Sequence, residues 1–366
     1  MPVYKQGSYS QNMRMAEVQP DIIYIIGSRT PTNRFGSTRF TISPPANMAS
    51  RPLSLASTIM RPATVLCAHS SLYFPISKPS GSLQYHKEVE MKPIYKSKAG
   101  ADAVQRRYRE VLDGWPLPAE PRRIPTRAGE TFVVSSGPID APPLVLLHGS
   151  GANASTWIGD VSTWATQFHV HAVDMLGEPG GSAEVRLPLD SDDVASWLDD
   201  VLDALGIENA AFVGMSLGGW TALDYTIRRP TRVNRLTLLC PGGIGRQTTG
   251  WLPKAVLLGA LGKRGRRRTV RLVTGLDTET ILDDVTLIFS NFNPRTEPLP
   301  IFSDEDLQGI SIPVQVIVGS RDVMMDSAET VRRVEKSIPN TSVTVLPDAG
   351  HAILGQTDAV MEFLAS

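Results

Sequence analysis

Ser216 stands in Gly214-Met215-Ser216-Leu217-Gly218, directly after the apolar run Ala210–Val213 and ahead of a helical pattern. A serine hydroxyl is a weak nucleophile unless a base takes its proton and the chain presents it sharply. A strand–turn–helix elbow gives that presentation, and it needs small neighbours because backbones crowd there. Attack on a carbonyl places negative charge on the carbonyl oxygen, which calls for preorganised N–H donors. Leu217, at a helix N-terminus, offers one amide. The second is expected from the loop Leu147-His148-Gly149-Ser150-Gly151, where the Ser150 amide is assigned and Gly151 is the alternative. The base must lie beyond a late strand, and His351 in Pro347-Asp348-Ala349-Gly350-His351 fits. Asp322, in Gly319-Ser320-Arg321-Asp322, is the carboxylate expected to orient it, with Asp326 as the alternative acid.

Other polar residues have plainer readings. His148 reads as a brace within its loop rather than a base. His169 and His171 fall on a strand, where a satisfied structural histidine is commoner, and His69 and His86 lie in a region without clear elements. Asp348 reads as a turn residue and Asp174, at a strand end, as another loop brace. Lys263-Arg264 and Arg266-Arg267-Arg268 read as a solvated helix end, with an anionic substrate or lipid headgroups as the alternative partner.

The elements that must hold these groups alternate at βαβ spacing. Strands are expected at Thr131–Val134, Pro143–Leu147, His169–Asp174, Ala210–Gly214, Arg235–Cys240, Pro313–Val318 and Ser342–Leu346. Helical patterns cover Ala101–Leu112, Asp193–Leu205, Leu217–Arg229, Ser327–Ser337 and Thr357–Ala365. Such alternation predicts an α/β protein with a doubly wound, mostly parallel sheet, whose chemistry sits beyond the carboxyl ends of the strands. The order Ser216, Asp322, His351 is the chain order such an elbow predicts for its acid and base. Residues 241–311 are too long for a crossover helix and hold their own pattern at Trp251–Leu261. They read as an inserted helical cap between core segments 91–240 and 312–366.

Composition narrows the function. A formal net charge of −1 gives no electrostatic reason to expect a nucleic acid. Cys67 and Cys240 are too few for a disulfide framework and lack metal-ligand spacing, and Cys240 reads as a small buried hydrophobe. No apolar run reaches the roughly 18–20 residues that span a bilayer. The expected location is cytoplasmic, or organellar if the N-terminus is a transit peptide. Before Glu88 the only acids are Glu17 and Asp21, among scattered Arg, Lys, Ser, Thr and Pro. Residues 1–90 therefore read as a disordered extension, as sequence upstream of a start at Met91, or as a transit peptide.

Longer stretches add a resemblance. Ser136-Gly137-Pro138, the run from Ala141 to Gly149, Gly206-Ile207-Glu208, Ser216-Leu217-Gly218-Gly219 and the run from Phe302 to Leu307 ahead of Val314 are similar to bacterial carboxylesterases of the naproxen-type, aryl-propionic ester kind. The likeness covers roughly residues 95–366 and lies within the α/β-hydrolase superfamily. It implies ester hydrolysis through an acyl-enzyme, a small ester-like substrate, and neither metal nor organic cofactor. The acid departs from the pattern, since some of these esterases use glutamate where Asp322 stands. Three alternatives stay open: a C–C bond hydrolase of the meta-cleavage-product type, a biosynthetic thioesterase or lactone-forming enzyme, and a non-catalytic ligand-binding module.

Overall fold

The computed structural model describes residues 93–366, so the expectations for residues 1–90, and for Cys67, His69 and His86, lie outside the described residues. Strands are β1 (Ala119–Thr126), β2 (Gly129–Ser136), β3 (Pro143–Leu147), β4 (His169–Val173), β5 (Ala210–Met215), β6 (Val233–Leu239), β7 (Val314–Gly319) and β8 (Thr341–Leu346). Helices are α1 (Lys98–Leu112), α2 (Val161–Trp164), α3 (Asp193–Leu205), α4 (Leu217–Arg228), α5 (Leu252–Gly259), α6 (Gly262–Thr274), α7 (Glu279–Asn291), α8 (Asp304–Gln308), α9 (Ser327–Ser337) and α10 (Thr357–Ala365).

The strands form one eight-stranded sheet in the order β1-β2-β4-β3-β5-β6-β7-β8. β1 and β2 run antiparallel to their neighbours, and the strands from β4 to β8 pair in parallel. The central strands β3 and β5 are apolar throughout because helices cover both faces. On β3, Val145 and Leu147 join the core with α3, α4 and α9, while Leu144 and Leu146 join the core with α2 and α10. This alternation is the period of two that a pleated strand imposes. α3 stops where Gly206 turns left-handed at φ 73°.

The strand order reverses at β3. From β3 the chain moves outward to β4, then returns to place β5 on the other side of β3. Loops leaving β3 and β5 therefore diverge from one point at the carboxyl edge, the place where α/β sheets open a crevice.

Some boundaries differ from expectation. β1 was not expected because Pro121 and Pro125 interrupt it; prolines are tolerated there because β1 is an edge strand paired only with β2. β6 ends at Leu239, and Cys240 follows it with φ 41°, outside the strand predicted to include it. The pattern over Trp251–Leu261 forms a shorter helix, Leu252–Gly259, before the chain turns at Gly262 (φ 62°) into α6. Between β6 and β7 the chain carries α5, α6, α7 and α8. No helix of the described residues is long and apolar enough to cross a membrane.

Candidate active site

The elbow at Ser216 is built from close backbone approach. Ser216 adopts φ 52° and ψ −109°, a conformation costly for a residue with a Cβ. Its amide donates to the Leu239 carbonyl at 2.9 Å, and its carbonyl accepts from the amides of Trp220 at 2.9 Å and Gly242 at 3.2 Å. The flanking glycines are required for space. A Cβ on Gly218 would lie 2.1 Å from the Leu147 carbonyl oxygen, and one on Gly214 would lie 2.5 Å from the Gly218 oxygen. Sequence-level crowding at the elbow thus has a concrete source: β3 and α4 touch through their backbones.

His351 and Asp322 reach Ser216 from the loops after β8 and β7. The Ser216 hydroxyl donates to His351 Nε2 at 2.9 Å, and His351 Nδ1–H donates to Asp322 Oδ2 at 2.8 Å. Asp322 Oδ1 accepts from the amides of Met324 (2.7 Å) and Met325 (3.1 Å), so both carboxylate oxygens are fixed. Gly319 allows the two loops to meet, since a Cβ there would lie 2.3 Å from the Gly350 oxygen. Burial opposes a charged His351, while adjacent Cys240 and the Asp322 carboxylate favour it, and the balance raises the imidazole above its usual 6.5. Cys240 is buried as expected, but it also borders the His351 ring, a contact its apolar run did not suggest.

The competing residues serve elsewhere. Asp326 caps α9 by accepting from the Glu329 amide at 2.9 Å and pairs with Arg246 at 3.2 Å. Asp348 sits in a turn at φ 66° and pairs with Arg321. His148 has both ring nitrogens engaged: Nδ1–H donates to the Gly149 carbonyl at 2.8 Å, and Nε2 accepts from the Met175 amide at 2.9 Å. Complete burial lowers its pKa to about 4, so it stays neutral as a brace. His171 bonds Ser135 within the sheet at 2.9 Å. Asp174 accepts from the Tyr108 hydroxyl (2.8 Å) and the amides of Ala154 (2.7 Å) and Gly181 (2.5 Å), tying three segments together.

The loop after β3 passes over the serine, with a Cβ on Gly149 only 3.4 Å from Ser216 Cβ. The Gly151 amide donates to Glu178 Oε2 at 2.7 Å and the Ser150 hydroxyl donates to the same oxygen at 3.1 Å. Gly151 is therefore engaged. The amides of Ser150 and Leu217 have no acceptor among the described residues. Glu178 is the residue that sequence reasoning missed. It is fully buried, and burial raises its carboxyl to about 7 against the pull of the Gly151 amide, Arg186 and the Ser150 hydroxyl. A lone glutamate in Gly177-Glu178-Pro179 has no spacing signal to reveal it.

Helices from the 241–311 segment lean on both sides of this arrangement. A Cβ on Gly151 would meet the Phe289 ring of α7 at 2.5 Å. At the end of α6, Gly275 packs on Gly350, and the Thr274 carbonyl accepts from the Ala352 amide at 2.9 Å.

A buried serine, imidazole and carboxylate joined in series at a sheet's switch point suit nucleophilic attack on a carbonyl. The model of the alpha/beta hydrolase family matches residues 144–363. The chain belongs to that family. As an alpha/beta hydrolase it is similar to two Bacillus subtilis proteins, carboxylesterase YbfK and an uncharacterized carboxylesterase called nap. Identity to YbfK is 30% over 263 residues, covering 67% of this chain and 86% of YbfK. Identity to nap is 29%, covering 67% of this chain and 85% of nap. The crystal structure of naproxen esterase from B. subtilis matches with a TM-score of 0.65 and 26% identity, over 73% of this chain and 99% of that one. A meta-cleavage product hydrolase from Pseudomonas fluorescens matches at 23% identity and a TM-score of 0.56, a likeness of fold alone.

Proposed function

We propose that this alpha/beta hydrolase is a serine carboxylesterase acting through an acyl-enzyme. Ser216 attacks the ester carbonyl while His351 Nε2 takes its proton, and Asp322 orients the imidazole and stabilises its charged form. The amides of Ser150 and Leu217 receive the developing oxyanion. His351 then protonates the leaving alcohol, and water, deprotonated by the same imidazole, releases the acid. The observation that carries this reading is the unbroken series Ser216–His351–Asp322 at 2.9 and 2.8 Å. The likeness to named carboxylesterases over two thirds of the chain supports the choice of esters. Helices α6 and α7 form the cap, roofing the site from the loops that carry His351 and Ser150.

The test is a panel of p-nitrophenyl esters of increasing acyl length, with Ser216→Ala as control. We expect the wild type to release nitrophenol faster by roughly 10⁴–10⁶-fold, the range of nucleophile removal in other serine hydrolases. Equal rates on every ester would sink the esterase reading. A fluorophosphonate probe should label Ser216 in the wild type and fail in Ser216→Ala, which separates an activated serine from a binding module.

A further inference from the structure

The outer surface of the α5–α6 hairpin combines clustered exposed apolar side chains with an excess of basic charge. α5 contains no buried residue, although it is mostly apolar. Val256 is 76% exposed, Leu257 72% and Leu261 58%. Such a cluster of exposed branched residues on adjoining turns marks a surface that meets something apolar. The second anomaly is charge. From Pro241 to Leu276 the chain holds eight basic residues and no acidic one, although the whole protein has a formal net charge of −1. Arg267 is engaged by Glu279 and Asp283, and Arg271 by Glu279. Lys254, Lys263, Arg264 and Arg268 have no acidic partner among the described residues. Lys263 and Arg264 occupy the first turn of α6, where the helix dipole disfavours cations. Their presence does not serve the helix.

We propose that the α5–α6 hairpin is a docking face for anionic lipid surfaces. Val256, Leu257 and Leu261 enter the boundary between headgroups and acyl chains, and Lys254, Lys263, Arg264 and Arg268 meet lipid phosphates. A helix with an apolar side and a basic flank lies in the plane of such an interface, its apolar side some 5–10 Å deep. Other occupants fit worse. A second copy of the hairpin would bring two uncompensated basic clusters together. The chain's own N-terminal region, with only Glu17 and Asp21 as acids before Glu88, offers little opposite charge. The inference goes beyond ester hydrolysis and does not depend on it, since docking needs no turnover.

Sedimentation of the full chain with vesicles tests it. Pure phosphatidylcholine vesicles should leave the protein in solution, and phosphatidylcholine–phosphatidylglycerol vesicles should pellet it, with binding lost at high salt. Arg264→Gln with Arg268→Gln should weaken binding by roughly 25-fold, at about fivefold per charge removed. Val256→Glu with Leu257→Glu should abolish it. Both variants should keep the wild-type unfolding temperature, showing that they fold, and Ser216→Ala should bind as the wild type does. Failure of the wild type to pellet with anionic vesicles overturns the proposal, as does binding that both double variants retain. A wild-type dimer that Val256→Glu with Leu257→Glu dissociates, without vesicle binding, would assign the face to self-association instead.

Discussion

Phe212 on β5 is wholly buried between helices, whereas Leu257 on α5 keeps 72% of its surface exposed. The two residues are alike in hydrophobicity and differ in what surrounds them. At the carboxyl edge of the sheet the triad is closely held: Ser216 makes four hydrogen bonds, the Asp322 carboxylate accepts three, and the neighbouring glycines leave no room for a methyl. On the hairpin, α5 buries no residue and α6 buries only Gly265 and Val270 among the described residues. One region is over-determined, so it fixes a single geometry. The other is held loosely by packing and offers its chemistry outward.

The strongest way to break this contrast is to loosen the over-determined region by one atom. Asp322→Asn keeps the shape of the side chain but removes the charge that orients and stabilises the imidazolium. We expect kcat on a nitrophenyl ester to fall by roughly 10³–10⁴-fold. The carboxylate holds the His351 pKa up, so its loss should also move the acid limb of kcat/KM to lower pH. Removing Asp326 should leave both quantities near wild type, because its oxygens serve α9 and Arg246. Loss of fluorophosphonate labelling in Asp326→Ala but not in Asp322→Asn would reverse the assignment.

Packing gives the next largest effect. Phe212→Ala removes a ring enclosed by the core that contains Tyr225, Leu223 and Val145, and should cost about 3–5 kcal/mol of stability in denaturant unfolding. A cost below about 1 kcal/mol would mean that the sheet interior collapses around the void, contrary to its role as a rigid platform.

How far the sequence revealed these two regions follows from the same contrast. Runs such as Leu144-Val145-Leu146-Leu147 are legible because burial on both faces demands continuous apolar residues, and Ser216, Asp322 and His351 are legible because each lies just beyond a strand that the sequence predicts. The helices α3, α9 and α10 begin and end where their patterns do. Glu178 was not legible: its importance comes from meeting Ser150 and Gly151 across 27 or more residues of chain, with no periodic or spacing signal. β1 was hidden by Pro121 and Pro125, which obscure an edge strand. The orientation of α5 was hidden too, since an apolar helix in a sequence looks the same whether it faces a core or an interface.

Glu178 sharpens the contrast on the side of the rigid region, because it couples loop geometry to pH. Burial holds its carboxyl at about 7, above the usual 4.5, with the Gly151 amide, Arg186, the Ser150 hydroxyl and Arg295 pulling the other way. A folded-state pKa above the unfolded one means that the folded chain holds its proton longer. Stability from this group is therefore full below about pH 4.5 and is lost as pH rises through about 7. Glu178→Gln keeps an acceptor for the Gly151 amide and removes the titration. Between about pH 5 and pH 8 the variant should lose less unfolding free energy than the wild type, by about 2–3 kcal/mol. Identical pH profiles would show that Glu178 is not held in its neutral form by burial.

The smallest effect is expected on the hairpin, and there its size is the point. Leu257→Ala deletes the same kind of branched side chain whose loss is costly in a core, yet 72% of it is already in water. The change in unfolding free energy should stay within about 0.5 kcal/mol, as for surface positions free of special contacts. A core-sized loss of about 2 kcal/mol or more would mean that Leu257 is packed against part of the chain in solution, and the hairpin would then belong with the sheet edge as a closed surface. A neutral result leaves an exposed leucine that contributes nothing to the fold, free for the lipid surface proposed for this face.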